Sequence, residues 1–438
     1  MSNLAERWSE VLTPAIGGEG FAPAWLSDLR EAAAGQFRAA GLPHRKVEAW
    51  KYTPMKAFES FDLRAAEPAA APEAHLPPPL CDKASVVDIH DGILGGLPKN
   101  LPPGVSLLPL AEGLKRFEER LKPLFEAVDV RGPSQAFAAL NTALAQQGLV
   151  VHVTGESRNG PRDARLLLRW GFSSGAAAMM NQFRLFVLLD DGAGLNLVEQ
   201  FGGIAGGTGG GGGLNTLYQA DLGTGSRLEH TRVQAESDEA VLLATTMIEQ
   251  GRDSCYRYRG FDLGAALARQ ELTVRLSGPG AEADIAGAMI LEGQRHADNH
   301  ICVEHLAPGC SSDQFFRAVL GGRSRGVFNG RALIQAGADG SSVRQSNANL
   351  LLSPLAEMDT KPELEIYADE VEASHGATVG QLDESAVFYM RSRGLSDAAA
   401  RRLLTAAFCR AVTDRVEGAG LAKRIAELVD AAMPDSEL

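Results

Sequence analysis

The hydrophobic residues follow two different spacings along the chain. Between residues 149 and 382, short runs alternate apolar and polar positions and are separated by turns of Gly, Asp and Ser, as in 183–191 and the turn after it. A period of two is typical of β-strands, and by itself it is compatible with a large sandwich or a solenoid. The repeated order of turn, glycine, small residue and strand favours a β-helix, in which each coil buries a face against its neighbours.

Residues 1–148 show mainly a helical spacing. The clearest helix begins at Pro23 and ends at Gly41, because proline is favoured in the first turn and glycine just past the last. Its apolar face consists of Leu26, Leu29, Ala33 and Phe37. This spacing predicts a well-bounded helix that packs along one side.

Two further helices are predicted in this region, over 111–128 and over 134–148. In the second, Ser134 can cap the first turn and Gly148 can end the helix. Upstream of both, residues 61–80 are rich in Ala and Pro, a composition that predicts an extended linker or mobile loop.

Helical spacing returns in residues 383–438. Asp383 can cap a short helix that Gly394 ends in a left-handed conformation, Ser396 can cap a longer one, and 421–433 completes the chain with a third. Apolar stripes of this kind are typical of ordinary packing faces, and docking of a partner is the alternative.

Charge and composition exclude several classes of protein. A net charge of −13 and a pI near 5.3 argue against nucleic-acid or anionic-membrane binding, since both require a basic surface. The first residues are not a signal sequence and no stretch is apolar enough to span a membrane, so we expect a cytoplasmic protein. Five scattered cysteines without a CxxC pair are typical of reduced thiols.

Two motifs invite a catalytic interpretation. The glycine run 206–213 lacks the Lys and Ser/Thr of a phosphate-binding loop, because Leu214 and Asn215 follow it, and a flexible hairpin-like loop explains it better. Paired carboxylates such as Asp369 and Glu370 are found in β-helix carbohydrate-active proteins, but aromatic residues, at 6%, are scarce for a sugar-binding cleft.

Histidines and cysteines are concentrated between residues 296 and 310, and such side chains can hold zinc or iron. They are His296, His300, Cys302, His305 and Cys310. On a strand, His300, Cys302 and Glu304 share one face while His305 lies on the other, so no single face offers four soft ligands. A metal-dependent enzyme and ordinary strand histidines both remain open.

His375 follows a change in strand parity. Leu364, Ile366 and Ala368 mark an inward even-numbered face, whereas Val371 is odd, which predicts a register shift around 369–370. His375 is then expected near the end of the last strand. An imidazole there can bind a metal or carry a proton, or it can be purely structural.

Several segments together resemble one known family. They are 311–334, 347–395, 398–408 and the N-terminal motif 45–55 with Arg45, Glu48, Trp50, Tyr52 and Thr53. In this order they are similar to the SufB/SufD family of iron–sulfur cluster assembly proteins, and HGATVG (375–380) with FYMRSRG (388–394) resembles its SufD branch.

The resemblance implies a mainly β fold, with a right-handed parallel β-helix (149–382) between an N-terminal helical (α/β) region (1–148) and a C-terminal helical region (383–438). It also implies a non-catalytic scaffold subunit that pairs with SufB and docks SufC, an ABC-type ATPase. It allows a homodimer of the isolated chain and a reduced flavin in the complex.

His375 matches the SufD histidine at the interface with SufB, where a transient iron–sulfur cluster is thought to form. The resemblance therefore implies a metal-binding role for His375 that is shared with SufB. Ala373 departs from the cysteine common in the family, so the thiolate must come from SufB. In the segment that would dock SufC, the contact candidates are Phe388, Tyr389, Arg391 and Arg393.

Overall fold

The computed structural model describes residues 2–16, 23–63, 76–155, 164–172, 179–202 and 211–435. The helices of these residues are α1 Ser2–Ile16, α2 Ala24–Ala40, α3 Leu110–Arg116, α4 Glu118–Glu126, α5 Ala136–Ala143, α6 Glu384–Ser392, α7 Asp397–Thr413 and α8 Ala419–Ala432. Their strands are β1 Asp62–Leu63, β2 Ser85–His90, β3 Ile93–Leu94, β4 Val105–Pro109, β5 Gly148–Val153, β6 Ala164–Gly171, β7 Met179–Leu189, β8 Gly194–Phe201, β9 Gly213–Leu222, β10 Arg227–Gln234, β11 Val241–Gln250, β12 Cys255–Asp262, β13 Leu267–Leu276, β14 Glu282–Leu291, β15 His296–His305, β16 Ser311–Leu320, β17 Arg325–Ile334, β18 Ser341–Leu351, β19 Glu357–Ile366 and β20 Val371–Gly380.

Consecutive strands alternate between two parallel sheets. The odd-numbered sheet runs in the order β19-β17-β15-β13-β11-β9-β7-β5, and the even-numbered sheet runs from β20 through β18 and β16 down to β6. Each coil therefore adds one strand to each sheet, with Leu267 of β13 beside His296 of β15, for example. The parallel β-helix with helical flanks that we predicted is confirmed.

The core of the β-helix lies between the two sheets, where inward side chains of successive coils stack. On β13, Ala268, Leu272 and Val274 point inward and are buried. Glycine is required where a large neighbour occupies the interior: a Cβ on Gly287 would lie 2.4 Å from the Phe316 ring. Continuous burial of apolar surface from coil to coil stabilises the stack.

The predicted helix between Pro23 and Gly41 is confirmed as α2, and Gly41 has the positive φ of 68° expected of a stop. The prediction of a single helix over 111–128 is wrong. The segment is divided into α3 and α4 at Phe117, whose φ of −125° leaves the helical region. The Phe117 ring packs 4.6 Å from that of His152, so a tertiary contact accounts for the break.

The helix predicted over 134–148 is shorter than expected. Ser134 lies in a 3-10 turn, and its side chain does not cap α5. That helix ends at Ala143. Gly148 instead begins β5, where a Cβ would lie 2.4 Å from the backbone oxygen of Arg184. Close approach to the neighbouring strand, rather than a helix stop, requires this glycine.

The N-terminal helices cover the outer face of the odd-numbered sheet. Trp8, Phe37 and Phe137 form one buried cluster with Val241 and Leu243 of β11. The segment predicted to be a linker, 61–80, lies partly outside the described residues. Its described ends are held in place, since β1 pairs with β7 and Leu80 is buried.

The C-terminal helices have the predicted caps. The Asp383 carboxylate accepts a hydrogen bond from the Ser385 N–H at 2.9 Å, and the Ser396 hydroxyl accepts one from the Ala399 N–H at 3.2 Å. Gly394 has a φ of 97°. α7 and α8 cover the outer face of the even-numbered sheet through a buried apolar cluster that includes Cys409, Val412, Ile425 and Val429.

The five cysteines are free thiols, as predicted. Within the described ranges, no helix has the length and apolarity needed to cross a membrane. Most of the glycine run 206–213 lies outside those ranges, and its last residue begins β9.

Candidate functional site

The β-helix has an open end at its last coil. β20 pairs with β18 over its whole length, and among the described residues no further strand lies beyond it. All of its side chains except that of Val371 are exposed. His375 is the fifth residue of this strand, so the prediction that it lies near the strand's end is wrong. Pairing with β18 continues as far as Gly380 and keeps the chain extended.

The predicted change of parity before His375 is confirmed, because Leu364, Ala368 and Val371 pack against one buried cluster. The burial predicted for Ile366 is wrong: its side chain is 41% exposed. Ile366 lies beside Ile334 on β17 and has no coil on its other side within the described chain. The open end therefore exposes residues whose equivalents are buried one coil earlier.

His375 projects toward the mouth of the β-helix interior. It lies beside Gln345 of β18, and residues in register on parallel neighbours point to the same face. Gln345 is 4% exposed and points inward, since its Nε2 donates to the Gly330 carbonyl oxygen of the opposite sheet at 3.2 Å. Its Oε1 has no hydrogen-bond partner in the described structure. An unsatisfied acceptor thus lies beneath an exposed imidazole.

Large apolar side chains are exposed around the same end. In the described ranges, Leu355, Ile366, Tyr367 and Val379 lie on the last two strands or in the turns beside them, and we call these four the open-end surface. Phe388 and Tyr389 on α6 and Leu403 on α7 are exposed as well. Exposed apolar groups concentrated in one part of a chain mark an interaction surface. The four residues of the open-end surface share this end with the unpaired backbone edges of β19 and β20.

The four predicted contact residues lie on or just after α6. Phe388 is 71% and Tyr389 55% exposed, so neither packs beneath the β-helix. Arg393 donates to the Tyr389 hydroxyl at 3.0 Å, and Arg391 pairs with Asp397 at 3.3 Å. The Arg391 pair ties α6 to the start of α7. The Arg393 guanidinium lies 5.2 Å from the centre of the Tyr389 ring, and the Phe388 ring stays exposed.

The histidine and cysteine cluster forms no metal site in the described part of the chain, where no group of three His, Cys, Asp or Glu side chains is placed to hold an ion. The predicted division of β15 into two faces is confirmed. His300 pairs with Asp298 at 2.9 Å, and His305 Nε2 lies 2.8 Å from the Ser312 hydroxyl. Burial lowers the pKa of His296 and of His305 to about 4.

A buried charge network joins the N-terminal motif to the β-helix. Arg269 of β13 and Asp298 of β15 are 2% and 1% exposed and form an ion pair. The Thr53 hydroxyl donates to Asp298 and accepts from Arg269 Nη1 at 3.0 Å, and the Arg269 guanidinium lies 4.1 Å from the centre of the Trp50 ring. Although burial opposes it, the Arg269 charge, together with His300, holds the pKa of Asp298 below its usual range. Sequence reasoning missed Arg269 and Asp298, which are 216 and 245 residues from Thr53.

These features define a class of protein: a parallel β-helix with one open end and a helical region on each sheet. The chain belongs to the SufB/SufD family, since the family model described as SUF system FeS cluster assembly, SufBD core domain, matches residues 172–408. It is 29% identical to an iron–sulfur cluster assembly SufBD family protein of Synechocystis over 92% of this chain and 90% of that one. It is 27% identical to the iron–sulfur cluster assembly protein SufD of Escherichia coli over 91% of each chain. Membership places the chain in the iron–sulfur cluster assembly system.

Proposed function

We propose that this chain is the SufD-type subunit of an assembly complex, where it pairs with SufB through its open end and docks the SufC ATPase through its C-terminal helical region. The observation that carries the proposal is the open-end surface. Unpaired strand edges and exposed apolar side chains are costly in water, and both are found at one end of the described chain. A second β-helix can cover them by adding its own strand edge and apolar residues.

His375 is the residue that we assign to the nascent cluster, which is cargo rather than a resident cofactor. Its imidazole is exposed in the mouth of the β-helix, where a partner's side chains can meet it. A neutral imidazole nitrogen is a good iron ligand. The adjacent inward position is Ala373, so this chain supplies nitrogen and the partner supplies thiolate.

The role is that of a scaffold. Nucleotide hydrolysis belongs to SufC, and the energy reaches the cluster site through α6 to α8, which connect β20 to the outer face of the even-numbered sheet. A shift of these helices moves β20 directly, because Asp383, the cap of α6, lies three residues after Gly380.

The test is co-purification of the tagged chain with SufB and SufC, followed by anaerobic measurement of iron and labile sulfide. We expect His375→Ala to retain both partners and lose most of the cluster. Ser374→Ala is the matched control, since it is the neighbouring exposed position on the opposite face of β20. Wild-type cluster content in the His375 variant would exclude the role assigned to this residue.

Docking of SufC is tested separately by Phe388→Ser combined with Tyr389→Ser. We expect this variant to lose SufC and keep SufB, because the two rings lie on α6 rather than on the strand edges. Leu403→Ser is the control for a general loss of apolar surface on the same helical region. Retention of SufC by the double variant would place the docking site elsewhere.

A further inference from the structure

A second candidate site lies on the outer face of the even-numbered sheet, away from the open end. A cavity of about 290 Å³ separates residues 80–83 from the start of α8, and its floor is formed by β6, β8 and β10. Small-molecule sites begin at about this size. The cavity therefore lies where the N-terminal and C-terminal parts of the chain meet.

Four polar side chains line this cavity without a partner of their own. Lys83, Arg165, Asn196 and Thr231 form no hydrogen bond or ion pair with the rest of the described chain. Thr231 is 6% exposed, and its outward position on β10 places its side chain in the lining of the cavity. Arg165 and Asn196 are in register on neighbouring strands. All four can donate hydrogen bonds to one ligand.

The N-terminus of α8 faces the same space. Gly418, Ala419 and Gly420 line the cavity, and Gly418, the N-cap, offers no side chain to the first-turn N–H groups. No acidic residue lies in the first turn of this 14-residue helix. Free N–H groups and the helix dipole at this position favour an anion.

The carboxylates of the cavity do not oppose an anion, because they are already paired. Glu229 and Glu417 share the guanidinium groups of Arg227 and Arg257, with Arg257 at 3.2 Å from Glu229 and 2.6 Å from Glu417. Asp82 is paired with Arg424 at 3.0 Å. Lys83 and Arg165, whose side chains are solvent-exposed at the rim of the cavity, therefore have no carboxylate partner among the described residues.

We propose that this cavity binds an organic phosphate monoester, with the phosphate between Arg165, Lys83, the Thr231 hydroxyl and the first turn of α8. Inorganic phosphate alone would leave much of the volume unfilled, so the ligand carries an organic group. Such a ligand would join residues 80–83 to the C-terminal helical region. The proposal does not depend on the role assigned to His375.

The test is calorimetric titration of the full chain with adenosine monophosphate and, separately, with inorganic phosphate. We expect saturable binding of one adenosine monophosphate, weakened about tenfold or more by Arg165→Met and by Lys83→Met. Thr231→Val, which keeps the shape and removes the hydroxyl, should weaken binding by a smaller factor. Lys99→Met removes an exposed lysine outside the cavity and should change nothing.

Three results would overturn the proposal. They are the absence of saturable binding of adenosine monophosphate, binding of inorganic phosphate alone, and equal weakening by Lys99→Met, which would indicate diffuse surface charge. Circular dichroism of each variant ensures that a weakened affinity is not a loss of fold.

Discussion

Replacement of Arg269 by Met should release the N-terminal motif from the β-helix. The guanidinium is 2% exposed and makes three kinds of contact: the ion pair with Asp298, a hydrogen bond to Thr53 and a cation–π contact with Trp50. It also donates to Glu271 at 2.6 Å. Methionine fills a similar volume but leaves the buried carboxylate of Asp298 without its guanidinium partner, with only the His300 imidazole and the Thr53 hydroxyl in contact.

The size of the destabilisation expected for Arg269→Met follows from the burial of its ion pair with Asp298. Breaking a buried ion pair by removal of one partner costs about 3 to 5 kcal/mol, since the remaining charge stays in a medium of low dielectric constant. Loss of a desolvated cation–π contact adds about 1 to 2 kcal/mol, and partial hydration of Asp298 offsets some of this. We expect a net loss of about 4 kcal/mol in the free energy of unfolding.

The measurement is urea denaturation at pH 7, followed by tryptophan fluorescence and by proteolysis of residues 45–55. Arg275→Met is the matched control: Arg275 lies on the same strand and face, but its side chain is 44% exposed and its ion pairs should contribute less than about 1 kcal/mol. The double change Arg269→Met with Asp298→Asn should recover part of the loss, because the fully buried carboxylate is removed and only the partly exposed Glu271 loses its partner. Equal effects of Arg269→Met and Arg275→Met would refute the argument.

Three further predictions concern the β-helix. Because burial lowers the pKa of His296 and His305 to about 4, their neutral forms stabilise the fold fully above about pH 6.5, and this contribution is lost as pH falls toward 4. Between pH 7 and pH 4.5, each of these two histidines should lower the free energy of unfolding by about 2 to 3 kcal/mol. His305→Gln should therefore flatten the pH dependence of the urea midpoint, and an unchanged dependence would contradict this. Gln345→Met removes the unsatisfied acceptor beneath His375 and should shift the tautomer balance of that imidazole in nitrogen-15 NMR spectra at pH 9. Identical spectra for the variant and the unchanged protein would show that the acceptor does not orient the ring. Gly148→Ala should destabilise the protein by about 2 kcal/mol or more in urea denaturation, because its Cβ would lie 2.4 Å from a backbone oxygen, and a neutral effect would show that β5 can move.

The sequence-based predictions that were confirmed concern features formed by residues close together in the chain. The caps at Asp383 and Ser396 and the stop at Gly41 each depend on atoms a few residues away. The alternation of apolar and polar positions likewise depends only on strand geometry. Periodicity alone did not distinguish a sandwich from a solenoid. The parallel arrangement was predicted from the family motifs, which lie in the β-helix and the C-terminal helices.

The tertiary structure decided what depends on residues far apart in sequence. Phe117 ends a helix because it packs on His152, and Gly148 serves a strand because another backbone lies beside it. Arg269 and Asp298 become a buried pair only when the coils stack. His375 was recognisable in the sequence as a candidate, but its position in the open mouth, above the unsatisfied oxygen of Gln345, follows from the register between coils, which no local pattern contains.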